Sequence, residues 1–164
     1  MPNMQRMRLA DASLIYHLRE MMEANGWTTG NYEVKDAYPD NLAEITKFPV
    51  LTVQTLSVDA KPIQIGSKST MNVTWAIDIF AKTDGQRDDV AQLLWDELLD
   101  AQLNIYDFNN GFPATLGDYT GISTLGTINF ESINMSVIEP ETFTDTIAEK
   151  HHTLVVVSGY MSVD

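Results

Sequence analysis

The sequence predicts an α+β fold, a mostly antiparallel sheet with two helices packed on one face. Three observations carry that expectation. Met71, Val73, Trp75, Ile77 and Ile79 alternate with Asn72, Thr74, Ala76 and Asp78, the period-two pattern of a half-buried strand. Two further segments, one near the start of the chain and one after Thr83, place apolar residues at helical spacing. The predicted order is α, β, a weak β, β, α, β, β. Neighbouring strands with no helix between them imply hairpins rather than the crossovers of a parallel sheet. The 164 residues fit one domain, 1–164, since a domain typically spans ~100–200 residues.

Taken in order, residues 1–9 read as an extended arm. Asp11 is positioned to cap a first helix with apolar residues at Leu14, Ile15, Leu18, Met21 and Met22, and Asn25-Gly26 closes it. Residues 27–49 are irregular, broken by Gly30, Pro39 and Pro49, with a short helical turn expected near 40–47. In residues 50–59 the apolar positions shift phase, from Leu51 and Val53 to Leu56 and Val58, which predicts a strand with a bulge. Residues 63–66 read as a short edge strand ahead of the alternating strand at 71–79.

Thr83 precedes Gln86 by three residues, a capping-box spacing, and starts a second helix with Val90, Leu93, Leu94 and Leu98 on its apolar side. Residues 107–126, with Asn110-Gly111, Pro113, Gly117 and Gly121, read as a long loop. Ile128 and Phe130 followed by Ile133, Met135 and Val137 again shift phase, a second bulged strand. Residues 139–150 form an acidic loop, and residues 153–163 a final strand, buried on both faces at 154–157.

Composition narrows the chemistry. The chain has no Cys, so disulfides, thiolate metal sites and Cys nucleophiles are excluded. It has 10 Lys and Arg against 23 Asp and Glu, a net charge of −13 that disfavours binding to phosphate backbones and anionic lipid. Arg6, Arg8, Arg19 and Lys35 balance Asp11, Glu20, Glu23 and Glu33, so residues 36–164 carry the whole excess. No stretch approaches the ~20 apolar residues of a membrane span, and no signal-peptide core follows Met1; synthesis in a cytoplasm and no membrane partner are expected. Neither a phosphate-binding glycine loop nor a Gly-x-Ser-x-Gly elbow occurs. His151 and His152 are adjacent and point to opposite faces of a strand, which argues against a shared metal. We expect no catalysis, no metal and no cofactor.

The strand ending at Phe80, the turn Thr83-Asp84-Gly85-Gln86 and the helix continuing through Ala91 resemble tail terminator, or tail completion, proteins of long-tailed bacteriophages. Ile105-Tyr106-Asp107-Phe108-Asn109 and the closing His152-Thr153-Leu154-Val155-Val156 fit the same layout. The resemblance implies a structural virion protein of the head–tail junction, or neck. It would assemble with itself into a ring, a hexamer in the family, and meet the tail tube protein on one side and a head-side connector or closure protein on the other. DNA would pass through without tight binding.

Another neck component, or a small acidic protein-binding module of the cytoplasm, are the alternatives. Met4, Arg6, Met7 and Arg8 are candidates for a subunit-contact arm, with a frayed terminus as the alternative. Asp118, Glu139, Glu141 and Asp145 are candidates for acids facing the channel.

Overall fold

A computed structural model describes residues 3–36, 45–61, 70–138 and 151–163. Two helices, α1 (Asn3–Ala24) and α2 (Asp84–Leu98), accompany six strands: β1 (Glu33–Lys35), β2 (Val50–Lys61), β3 (Thr70–Ala81), β4 (Gln102–Tyr106), β5 (Thr124–Ile138) and β6 (His151–Val163). The strands form one sheet in the order β1-β2-β3-β6-β5-β4. Every neighbouring pair is antiparallel except β1 with β2. The expected α+β class therefore holds.

β3 lies inside the sheet because its pattern suits it: Trp75, Ile77 and Ile79 are fully buried toward the helices, and Ala76, Asp78 and Phe80 are buried on the other side. The helix-facing side joins Leu14, Leu18 and Met22 of α1 with Leu94 and Leu98 of α2 in one continuous core. His17 Nε2 of α1 lies 2.7 Å from Glu97 Oε1 of α2, so the two helices meet on the same face.

Both expected bulges are present. The register shifts between Thr55 and Ser57 in β2 and between Phe130 and Ser132 in β5. Thr74, Ser158 and Ser132 occupy one row of the ladder, and Ser57 pairs with Thr74, so the two bulges flank β3 and β6 at the same level. A bulge bends its strand and increases local twist, and two at one level curl the sheet along a single line. The inner strand accommodates this at Gly159, where an added Cβ would lie 2.3 Å from the Asn129 carbonyl oxygen.

Several expectations are corrected. Residues 3–9 are helical, not an extended arm: α1 begins at Asn3, and Leu9 and Ala10 are buried. Met4, Gln5, Arg6, Met7 and Leu9 are good helix formers, so nothing local stops the helix from starting early. Asp11 is consequently not a cap but a mid-helix residue turned toward the sheet. The closing signal does operate: Gly26 has φ of +90°, and Trp27 N–H donates to the Met22 carbonyl at 3.1 Å.

β1 and β4 were not expected. β6 is buried on alternate residues, Thr153, Val155, Val157 and Met161, with Leu154 and Val156 half-buried, so it is not enclosed on both faces at 154–157. The 107–126 loop ends earlier than expected, since β5 starts at Thr124. The turn at 40–47 falls largely, and the edge strand at 63–66 and the acidic loop at 139–150 wholly, outside the described residues.

Candidate functional site

α2 is built as its sequence requires. Thr83 Oγ1 accepts from Gln86 N–H at 3.2 Å, while Gln86 Oε1 accepts from Lys82 N–H at 2.8 Å, one residue before the usual capping-box partner. Val90, Ala91, Leu94 and Leu98 are buried, which leaves Asp84, Asp88, Asp89 and Asp96 on the outer surface. Arg87 bridges two of these acids, 3.3 Å from Asp84 and 2.9 Å from Asp88. Part of the charge excess is thus displayed on the outer face of a helix whose apolar side is buried in the core.

Of the residues expected to form a contact arm, Met7 and Arg8 are engaged within the subunit. Met4 lies in the first turns of α1, Arg6 is half-buried, and Met7 packs against the core. Arg8 Nη2 donates to Asn109 Oδ1 at 2.8 Å, and Gln5 Nε2 donates to the same oxygen at 3.1 Å. The start of α1 therefore holds down the loop at 107–123.

That loop is fastened along the helix by aromatic residues. Tyr16 lies against Phe108, Phe112 and Tyr119, with ring centroids 5.0, 5.3 and 5.6 Å away, and Arg19 sits over Phe112 at 4.9 Å. Tyr16 Oη accepts from Gly117 N–H at 2.7 Å, and Tyr119 Oη donates to Glu20 Oε2 at 2.6 Å. Burial, together with the Glu20 carboxylate, raises the Tyr119 pKa above the ordinary phenol range. Burial likewise pushes Tyr32, beside Glu23, up to about 12.

Of the four acids expected to face a channel, Asp118 is described, and Glu139, Glu141 and Asp145 lie outside the described residues. Asp118 is exposed in a turn of the loop. Its carboxylate accepts from Thr120 N–H at 3.0 Å, and the hydrogen bonds from Thr120 hold its pKa below the usual range.

Among the described residues no three His, Asp or Glu side chains gather as metal ligands. His151 and His152 face apart, as expected. His151 Nδ1 lies 2.5 Å from Asp84 Oδ1, and His152 Nε2 lies 2.6 Å from the buried Asp78 and stacks on Phe80. These are two separate pairs. No described helix is long and apolar enough to cross a membrane.

The feature that sequence reasoning missed is the state of the sheet edges. β1 pairs with β2 only from Val50 to Thr52, and β4 pairs with β5 only from Thr124 to Asn129. Among the described residues, β2 beyond Thr52 and β5 beyond Phe130 have no strand on their outer side. Both segments expose large apolar side chains: Leu56 at 57% and Val58 at 41% in β2, Val137 at 56% and Ile138 at 40% in β5. A charge-free run at 132–138 was the available signal.

No protein-family model matches the sequence, and no curated protein matches it. Among solved structures, the chain is similar to one in a structure described as the virion of a native gene transfer agent (GTA) particle. The TM-score is 0.45 at 13% identity, over 90% of this chain and 91% of the other.

Proposed function

We propose that this chain is a structural protein of a phage-like virion, a ring-forming tail terminator at the head–tail junction that caps the tail tube and joins it to a head-side connector or closure protein. The observation that carries this reading is the exposure of Leu56, Val58, Val137 and Ile138 on strand segments with no described strand on their outer side. Exposed apolar residues clustered on open strands mark surfaces for assembly. The resemblance of the strand, turn and helix from Trp75 to Ala91 supports the same role, and the acidic face of α2 suits a surface that DNA passes without sticking. Copies in a ring bring their carboxylates together at the opening. Salt screens that field over ~8–10 Å, so only acids close to the axis act on DNA; Asp118, Glu139, Glu141 and Asp145 are assigned to that position.

The test is location. Purified particles should contain the chain in a fixed ratio to the tail tube protein, and a tagged copy should lie at the head–tail junction in electron micrographs. Absence from purified particles, or a position at the distal tip of the tail, would overturn the reading.

A further inference from the structure

We propose that successive copies of this chain join edge to edge, the outer side of β2 in one copy pairing with the outer side of β5 in the next, so that one sheet runs continuously around the assembly. The inference rests on the ring reading and names its interface.

The two open edges fit each other. β2 is antiparallel to β3, β3 to β6, and β6 to β5, so β5 runs opposite to β2. In copies related by rotation, β2 of one and β5 of its neighbour therefore meet antiparallel, the pairing that both already make within the subunit. The open segments also lie at overlapping heights. Val53, Ile77, Val155 and Met135 form one row across the sheet, and Gln54, Ala76, Val156 and Asn134 form the next. Two level copies would thus set Val53 beside Met135 and Gln54 beside Asn134.

Chemistry favours this use of the edges. An open strand presents unpaired N–H and C=O groups, and proteins ordinarily protect such edges with charges or proline. Residues 53–58 and 132–138 contain neither. Val53, Ile133, Met135 and Val137 are all on the helix-facing side, in rows with Ile77, Trp75 and Ile79, and Val58 shares that side with Val73. Level pairing would set Val53 against Met135 and Thr55 against Ile133 on the helix-facing side, extending the existing core across the join, with Val58 and Val137 flanking the shared stretch at its two ends. Because the two surfaces are different, the contact is heterologous, the type that closes into rings.

The absence of native cysteine makes the test direct. Gln54→Cys would be combined in turn with Ser132→Cys, Asn134→Cys and Ser136→Cys, which sample three registers. Within one subunit the edges are three strand spacings apart, ~14 Å, beyond the ~7 Å limit for a disulfide. Oxidation should convert at least one double variant into a ladder of multimers that reducing agent collapses, and each single variant should stop at dimer.

In a second arm, Leu56→Lys/Val58→Lys and Met135→Lys/Val137→Lys chains, checked for retained fold by circular dichroism, should each be monomeric in native mass spectrometry. Mixed, they should give a one-to-one heterodimer and nothing larger, since each keeps one working edge. Rings that persist in either lysine variant, or native oligomers with no ladder in any register, would overturn the edge pairing while leaving the ring reading intact. A native chain that is monomeric at all concentrations and missing from particles would overturn both.

Discussion

Asp11 Oδ1 accepts hydrogen bonds from Trp75 Nε1 at 2.7 Å and from Thr55 Oγ1 at 2.8 Å, so one carboxylate oxygen fastens α1 to both β3 and β2. Burial raises the Asp11 pKa despite these two bonds, which pull it down, and the charge of Asp36 adds to the rise. A carboxyl raised in the folded state favours folding below its unfolded value of ~3.9 and loses that contribution as pH climbs through the native value. Asp11→Asn keeps an acceptor at the same place without the charge. Its stability relative to the native chain should therefore improve between pH 3 and pH 7 in denaturant titrations. Asp11→Ala should instead cost about 1–3 kcal/mol, because the indole N–H is left without an acceptor.

Gly159 provides the second prediction. An added Cβ would meet the Asn129 carbonyl oxygen at 2.3 Å and the Phe130 Cα at 3.0 Å, both backbone atoms that cannot swing aside. Gly159→Ala should destabilise by about 1–3 kcal/mol, as overpacking does elsewhere. Chemical denaturation is the measurement, and an unchanged midpoint would show that the bulge does not need the close approach.

Much of this fold was legible, for particular reasons. β3 was visible because its alternation continues over five apolar positions, and a one-residue slip would turn Trp75, Ile77 and Ile79 outward. Both bulges appeared as phase changes in the apolar pattern. β1 and β4 escaped because strands of three and five residues carry little periodicity of their own; β1 exists through its pairing with Val50, Leu51 and Thr52.

The candidate site was harder to read. Arg8 looked available for a partner because nothing near it in sequence is acidic, yet it is taken by Asn109, about a hundred residues away. The start of α1 reads as an arm from sequence because Asp11 is a good cap by type, and only the sheet shows what that carboxylate binds.

The loop at 107–123 yields a third prediction. Tyr119 Oη donates to Glu20 Oε2 at 2.6 Å, and only the protonated phenol can do so. Since its pKa is raised, the anchor is intact below the ordinary phenol value of ~10 and is lost as pH rises through the native value. Tyr119→Phe removes the bond at every pH and should cost about 1 kcal/mol. Proteolytic cleavage within 107–123 should be faster for Tyr119→Phe at pH 7 and should converge with that of the native chain at strongly alkaline pH.

The last prediction compares two residues on the same side of the sheet. Ile77 is fully buried between neighbouring strands and under the helices, while Val137, two places along β5 from the same row, is 56% exposed. Ile77→Ala removes apolar contacts and leaves a cavity, and should cost about 2–5 kcal/mol; Ile77→Asp, which buries a charge without a partner, should not fold. Val137→Ser should alter the stability of the isolated subunit by less than ~0.5 kcal/mol, because little of its side chain is covered there. The same substitution should weaken self-association if Val137 is covered in the assembly. Denaturation at low protein concentration and sedimentation at high concentration separate the two effects. Equal destabilisation by Ile77→Ala and Val137→Ser at low concentration would contradict the division between a closed core and an open edge.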